Sequence, residues 1–489
     1  MRIQLIGHNE VYAAEQSLLA LFPEEKLTYG PPEAADARWA VLSMEEADGR
    51  CRFTTELHWD GNTAVREWSE VLSGTDYENE GLRRRCLGKS VFLAARDAAG
   101  IAPAWGSLTG VRPAKVAAKL LRQGADLPEA VRRLEEDYYV THDRAVLAAE
   151  AARAGLDAAA GLSPRDIAAY IGIPFCPTRC AYCSFVSSSV ERSLRQVEPY
   201  LEALLEEVRA AGELTRSHDL RVRAFYMGGG TPTTLSADQM DRLLTAFETA
   251  FDLSACPELT IEAGRPDTID PEKLAVLRRH GVTRVSVNPQ TMEEHVLRAI
   301  GRRHTAEDTR RAMEQVAAAG FAHVNMDLIA GLPEDTPEGF RRSLDECLAL
   351  GADNITVHTL SLKKGSTILT EGLAIPPAEA VAEMLDYAAP TLRAAGYVPY
   401  YLYRQTYMSG SFENVGWCRP GGENLYNIYI MEELCSILSM GAGGSTKMVG
   451  PADKRITRAF NLKYPQEYIA RPEKWRANQA EFAAFYAEE

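Results

Sequence analysis

AAYIGIPFCPTRCAYCSF, residues 168–185, decides the fold. Its first seven residues are small, apolar or β-branched, which suits a strand buried on both faces. Cys176, Cys180 and Cys183 follow at once with the spacing C-x3-C-x2-C. Barrel enzymes carry their chemistry on loops at the C-terminal ends of strands, so a cofactor built here faces the barrel mouth. Three thiolates suit a [4Fe-4S] cubane, because each binds one iron and the fourth iron stays open to chelate a small molecule. Zinc is the competing metal, but a structural zinc site needs four ligands and no nearby His or Cys completes this one. The remaining alternative, three unrelated buried cysteines, sits badly with their clustering at a strand end.

From residue 161 to 375 the pattern repeats. Apolar, β-branched runs at 168–174, 223–229, 258–264, 284–289, 323–331 and 354–360 read as strands. Between them lie stretches such as SADQMDRLLTAFETAF and DTRRAMEQVAAAG, with apolar residues three and four apart, which read as crossover helices. Alternating βα units predict an α/β protein with a parallel sheet, here a partial (β/α)6 TIM-like barrel. Residues 1–160 read as a separate α+β and helical domain of unknown role. It starts with MRIQLIG and VYAAEQSLLALF and has an antiparallel pair in WAVLSME and CRFTTELHW. Residues 376–489 read as a mainly helical domain with a Tyr-, Gly- and Asn-rich stretch.

Composition narrows the function. At 489 residues, 46% hydrophobic and 25% charged, the chain has an ordinary globular make-up and length enough for a large core. Lys and Arg number 53 against 68 Asp and Glu, a net charge of −15 that opposes bulk nucleic-acid binding. The start carries no cationic and apolar leader, and no long uncharged apolar segment follows, so a cytoplasmic protein without stable membrane insertion is expected. Six further cysteines, Cys51, Cys86, Cys256, Cys347, Cys418 and Cys435, are widely spread and read as small buried hydrophobes.

Polar residues gather at the other strand ends. Gly228, Gly229, Gly230, Thr231 and Pro232 close the second strand, where glycine lets a ligand approach the backbone and the threonine hydroxyl adds a hydrogen bond. Glu262, Gln290, Arg302 and Asp327 sit where an apolar core would not want them. Such clustering points to a polar ligand or to a mutual ion-pair network.

The cysteine spacing followed by YMGGGTPT resembles the radical S-adenosylmethionine (SAM) superfamily. With Tyr170 and the stretches TIE, VNPQ, GRR and DLIAGLP, it resembles the oxygen-independent coproporphyrinogen III oxidases (coproporphyrinogen dehydrogenases). The stretch from Tyr400 to Lys447, with Arg404, Gln405, Glu413, Asn414 and MGAGGSTK, is closer still to the variant second-copy branch of Gram-positive bacteria. The resemblance implies a [4Fe-4S] cluster on Cys176, Cys180 and Cys183, and SAM, one molecule or two. It implies that Gly229, Gly230 and Thr231 meet the SAM amino group and that Tyr170, Tyr182, Glu262 and Arg302, or Arg303 in its place, help hold the first SAM. Gln290 and Asp327 would contact SAM in the pocket, and Gln290, Asp327 and Arg404 are the catalytic candidates. The C-terminal stretch would form a substrate lid.

Members of that family convert two propionates of coproporphyrinogen III to vinyl groups with loss of carbon dioxide, giving protoporphyrinogen IX in porphyrin biosynthesis. The implied partners are a tetrapyrrole substrate and a low-potential electron donor of flavodoxin or ferredoxin type. Tetrapyrrole carboxylates need cations, and the candidates are Arg179, Arg265, Lys363, Lys364, Arg404 and Lys447. One departure stands out: Ser184 and Phe185 follow Cys183, where the best-defined dehydrogenases place a further cysteine after one residue. Relatives that bind and deliver haem share that absence. A haem-binding chaperone therefore stays open beside the decarboxylase, as does another radical SAM reaction on a tetrapyrrole, such as anaerobic haem opening or methyl transfer.

Overall fold

The computed structural model describes every residue except Thr109, Val111 and residues 184–187, 363–364, 406–408, 451–454 and 488–489, and leaves out the side chains of Tyr77 and residues 188–192 and 409. Ser184, Phe185, Lys363 and Lys364 thus lie outside the described residues. The chain divides into two compact units, Met1–Ala149 with Gly410–Phe412, and Glu150–Ser409 with Glu413–Glu489.

In the first unit β1 (Arg2–Ile6), β2 (Thr28–Tyr29), β3 (Arg38–Ala47), β4 (Arg50–Trp59) and β5 (Asn62–Val71) form one sheet in the order β2-β1-β3-β4-β5. The expected antiparallel pair is β3–β4, in register from Arg38 opposite Trp59 to Ala47 opposite Arg50. Two Asp-Gly turns fix the meander: Asp48-Gly49 joins β3 to β4, and Asp60-Gly61 joins β4 to β5. All four turn residues have positive φ, as a two-residue hairpin loop with the strands' own twist requires. Helix α1 (Val11–Leu21) and the long α2 (Asp76–Ala99), whose start is capped by Thr75 and Glu78, complete a core with Leu18, Phe53, Leu57, Cys51 and Cys86. Helices α3 (Ala114–Arg122) and α4 (Leu127–Tyr138) follow, and α5 (His142–Ala160) crosses the boundary between the units.

The second unit is built on six parallel strands. These are β6 (Asp166–Ile173), β9 (Arg221–Gly229), β10 (Leu259–Glu262), β11 (Arg284–Ser286), β12 (His323–Ala330) and β13 (Asn354–Thr359), adjacent in chain order. Each falls within or overlaps a run read from the sequence. The short β7 (Phe175–Cys176) and β8 (Ser188–Ser189) pair with each other in the cysteine loop. Helices α6 (Val190–Ser217), α7 (Ala237–Ala250), α8 (Pro271–Arg279), α9 (Glu294–Ala299), α10 (Ala306–Ala319), α11 (Pro337–Ala349) and α12 (Thr367–Glu371) connect the strands. Their starts are written locally: Ser236 with Gln239 and Thr305 with Asp308 form capping boxes on α7 and α10, and Asp270 caps α8.

Residues 376–489 supply α13 (Ala378–Ala394), α14 (Leu425–Glu432), α15 (Pro465–Ala470) and α16 (Glu473–Ala487), and also five strands that the sequence reading did not assign. β14 (Val398–Arg404) and β15 (Glu413–Cys418) continue the barrel sheet beyond β13. β16 (Ser436–Met440), β17 (Ser445–Val449) and β18 (Ile456–Phe460) continue it from the other side, with β16 parallel to β6. The C-terminal stretch is therefore part of the barrel sheet as well as helical. Among the described residues no helix is long and apolar enough to cross a membrane.

Candidate functional site

The cysteine loop leaves β6 at the C-terminal end of the sheet. Its turn is tight, since the Cys183 amide donates to the Cys180 carbonyl at 3.1 Å, and the Ala181 amide reaches the Ile300 carbonyl at 2.9 Å. Cys180 is buried, while Cys176 and Cys183 are partly open. Beside this loop runs the glycine-rich end of β9. The Gly230 amide donates to the Ile173 carbonyl and the Thr231 amide to the Phe175 carbonyl, both at 2.7 Å, and the Thr231 hydroxyl faces the Cys176 sulfur at 3.5 Å. Space here is short. A Cβ on Gly230 would stand 2.5 Å from the Phe175 carbonyl oxygen, and Gly229 has φ +104, so neither position takes a side chain without strain.

The next strands bring polar groups to the same end. On β6 and β9, Tyr170 and Tyr226 are register partners, with ring centroids 6.3 Å apart, and Tyr426 from α14 lies 4.6 Å from Tyr226. The Tyr226 hydroxyl donates to Glu262 at 2.5 Å. Burial pushes the Glu262 carboxyl up to about 7, against the pull of Tyr226. Asp327 behaves differently. Burial would raise it, but the neighbouring His358, Asn325 and Thr356 together more than offset burial and hold it below the usual range. The Asn325 amide lies 2.8 Å from Asp327, and the His358 ring 3.9 Å.

Gln290 is held in the left-handed region, φ 71, by two backbone bonds to β12: its amide donates to the Asp327 carbonyl at 2.9 Å, and its carbonyl accepts from the Ile329 amide at 3.0 Å. Such strain persists only where the surroundings enforce it. Its side-chain oxygen is buried without a hydrogen-bond partner, and so is that of Asn288. Arg302 is buried and Arg303 exposed, which separates the two sequence candidates. Arg302 donates to the Asn288 carbonyl and, at 2.9 Å, to the Tyr182 hydroxyl. Gly229 and Glu262 close β9 and β10, and Gly230 and Thr231 lie just beyond β9; Tyr182 is in the cysteine loop and Gln290 in the loop after β11. Asp327 and Arg302, expected at strand ends, lie within β12 and after α9, and Tyr170 lies within β6.

The proposed substrate cations separate. Arg404, the last residue of β14, is buried, and burial lowers it to about 10 although Glu413, its register partner on β15, pulls the other way. Arg179 is exposed and donates to the Gly365 carbonyl at 3.0 Å. Lys447 is committed to the Ile430 carbonyl at 3.0 Å, with the Glu433 carboxylate at 3.7 Å. Arg265 is turned toward the cysteine loop. Sequence reading passed over Tyr226 and His358; the signal for both was two-residue periodicity, which points each to the same face as Tyr170 or Asp327. Among the described residues no three His, Cys, Asp or Glu side chains are grouped to hold a single metal ion, whereas a cubane takes each thiolate on a different iron. A soft triad of thiols, a glycine cradle and unpaired amide oxygens at the same strand ends fit an iron–sulfur cluster with a polar organic ligand beside it.

Residues 170–347 match the radical SAM superfamily. The chain is 37% identical, over 97% of its length and 96% of the relative's, to the oxygen-independent coproporphyrinogen-III oxidase-like protein HemZ of Bacillus subtilis. It is 31% identical to the haem chaperone HemW of Mycobacterium tuberculosis over 63% of this chain and 75% of that one. Among solved structures it resembles coproporphyrinogen III oxidase (HemN) of Escherichia coli, a radical SAM enzyme, with TM-score 0.53 and 24% identity over 66% of this chain and 72% of that one. The fold and the cysteine loop are those of a radical SAM protein. The chain belongs to the oxygen-independent coproporphyrinogen-III oxidase-like family of that superfamily, and its cofactors are a [4Fe-4S] cluster and SAM.

Proposed function

We propose that this protein oxidatively decarboxylates coproporphyrinogen III to protoporphyrinogen IX without oxygen, in porphyrin and haem biosynthesis in the cytoplasm. The observation that carries this reading is the end-to-end likeness to an oxidase-like relative, including the first 149 residues and the C-terminal strands, where the haem chaperone reaches 63% of the chain. When bound, the cluster and SAM would supply a hydrogen-atom abstraction at the propionate β-carbon; carbon dioxide leaves and the remaining electron passes to a one-electron acceptor. Cys176, Cys180 and Cys183 hold the cluster. Gly229, Gly230 and Thr231 present backbone and hydroxyl to the amino group of SAM, and Glu262, Arg302, Tyr170 and Tyr182 orient it. Gln290, whose amide oxygen is without a hydrogen-bond partner, and Asp327, kept ionised by His358 and the Asn325 amide, face the ligands from the middle of the sheet. Arg404 meets a propionate, residues 376–489 supply the lid, and a flavodoxin- or ferredoxin-type protein delivers electrons.

A second reading, a haem-binding chaperone, is favoured by one observation: Ser184 and Phe185 after Cys183, with no further cysteine, in a chain similar to such a chaperone. Anaerobic incubation with coproporphyrinogen III, SAM and dithionite separates the two. Two carbon dioxide per tetrapyrrole together with divinyl product supports the decarboxylase. Tight haem binding without cleavage of SAM refutes it in favour of the chaperone.

A further inference from the structure

Arg265 has a place in the site that the substrate-cation reading does not account for. It follows β10, is 3% exposed, and has its guanidinium turned away from solvent into the cysteine loop. Its Nε and Nη2 donate to the two oxygens of Asp267, at 3.1 and 3.2 Å. Its Nη1 donates to the Thr178 hydroxyl at 3.0 Å and carbonyl at 3.4 Å, and reaches the Cys180 sulfur at 3.9 Å. Thr178 in turn donates to the Gly301 carbonyl at 3.0 Å. The Arg265 backbone is fixed as well, because its carbonyl accepts from the Thr268 hydroxyl at 2.8 Å, and that hydroxyl lies 2.6 Å from the one on Thr233, beside the glycine loop. The Arg265 side chain therefore joins the loop after β10 to the cysteine loop and brings a positive charge to a cluster cysteine.

Arg302, also buried, lies beside the same Cys180 sulfur. His304 is buried 3.9 Å from Asp267, but burial first, and then the two arginines, lower its pKa to about 3, so it adds no charge. Among the described residues Asp267 is the carboxylate paired with Arg265, and it is partly exposed. A buried cation in van der Waals reach of a thiolate favours whichever state of the cluster carries more negative charge.

We propose that Arg265 is a positioning residue that tunes the cluster: through Cys180 it raises the reduction potential and eases the one-electron reduction that an external low-potential donor performs. This rests on the assignment of the cluster to Cys176, Cys180 and Cys183. Asp267 opposes the effect by partly neutralising the guanidinium.

Two substitutions of opposite sign test this without any turnover assay. The full-length protein, Arg265→Gln and Asp267→Asn are reconstituted anaerobically with iron and sulfide. Iron and labile sulfide are counted, and the midpoint potential is read by redox titration followed by electron paramagnetic resonance. Arg265→Gln is expected to keep the cluster and move the midpoint to more negative potential, and Asp267→Asn to move it to more positive potential. Should Arg265→Gln fail to take up the cluster, the sign of the Asp267→Asn shift decides. Loaded variants with unmoved midpoints, or a negative shift in Asp267→Asn, overturn the role of Arg265. Wild-type protein that binds no cluster overturns the assignment beneath it.

Discussion

Replacing Glu207, in the middle of α6, with alanine should loosen the C-terminal strands from the barrel, and the size of the effect follows from its hydrogen bonds. Glu207 is 1% exposed, and its carboxylate accepts from the Gly441 amide at 2.7 Å, the Tyr468 hydroxyl at 2.5 Å and the Asn461 amide at 2.8 Å. Asn461 keeps a second acceptor, the Gly441 carbonyl at 3.0 Å, so the alanine variant strands two donors. At about 1–3 kcal/mol for each buried donor left unpaired, the loss is about 2–6 kcal/mol. Burial also pushes this carboxyl from 4.5 up to about 7. Between those values the unfolded chain has released a proton that the folded chain still holds. Stability from this group is therefore greatest below pH 4.5 and falls as pH rises toward 7, by about 3 kcal/mol for a shift of this size. Glu207→Ala removes that slope, so its penalty should be larger at pH 5.5 than at pH 8. Hydrogen exchange of residues 436–449, corrected for intrinsic rates, reads both quantities. The expected acceleration at pH 5.5 is about 30-fold or more, on the scale of tenfold per 1.4 kcal/mol. Unchanged protection, or a penalty that grows with pH, would refute the reasoning.

Other expectations concern the site. Cys183→Ala should abolish the brown absorption of anaerobically reconstituted protein and lower its iron content, whereas Cys347→Ala, in a buried position on α11 far along the chain, should leave both unchanged. Gln290→Ala should retain the cluster but lose turnover about 100-fold, the scale of a misplaced reactant; loss of the cluster would mean that the pocket lies elsewhere. In Gly230→Ala the new methyl group meets the Phe175 and Ile173 carbonyl oxygens at 2.5 and 2.8 Å. The backbone must move, costing about 1–3 kcal/mol, and weaker SAM binding by equilibrium dialysis should accompany a lower denaturation midpoint.

The barrel was legible because its strands are continuous apolar runs and its helices announce their starts with Ser, Thr and Asp. The cysteines and glycines were legible because their chemistry depends on spacing along one loop. What could not be read lies in features without local period. β16 and β17 are five residues each, buried along most of their length and separated by glycines, so neither alternation nor length marks them. The sequence offers Arg265 only as one of several candidate cations for substrate carboxylates, because its neighbours Gly264 and Pro266 say nothing of the distant Thr178 and Cys180. The left-handed backbone of Gln290 comes from its bridge to Leu328, a contact between strands. The Asp-Gly pairs at 48–49 and 60–61 did carry a signal, and they would have placed β5 as well as β4.

The partnership of β6 with β16 bears on how the protein is made. β6 carries the cysteine loop at its end, yet one of its two neighbours, β16, follows the other five parallel strands in the chain. During synthesis that flank stays bare until β16 has been made, an open edge that other chains can join. A chain broken off before β16 would keep its metal-binding loop on a strand that never acquires its second partner.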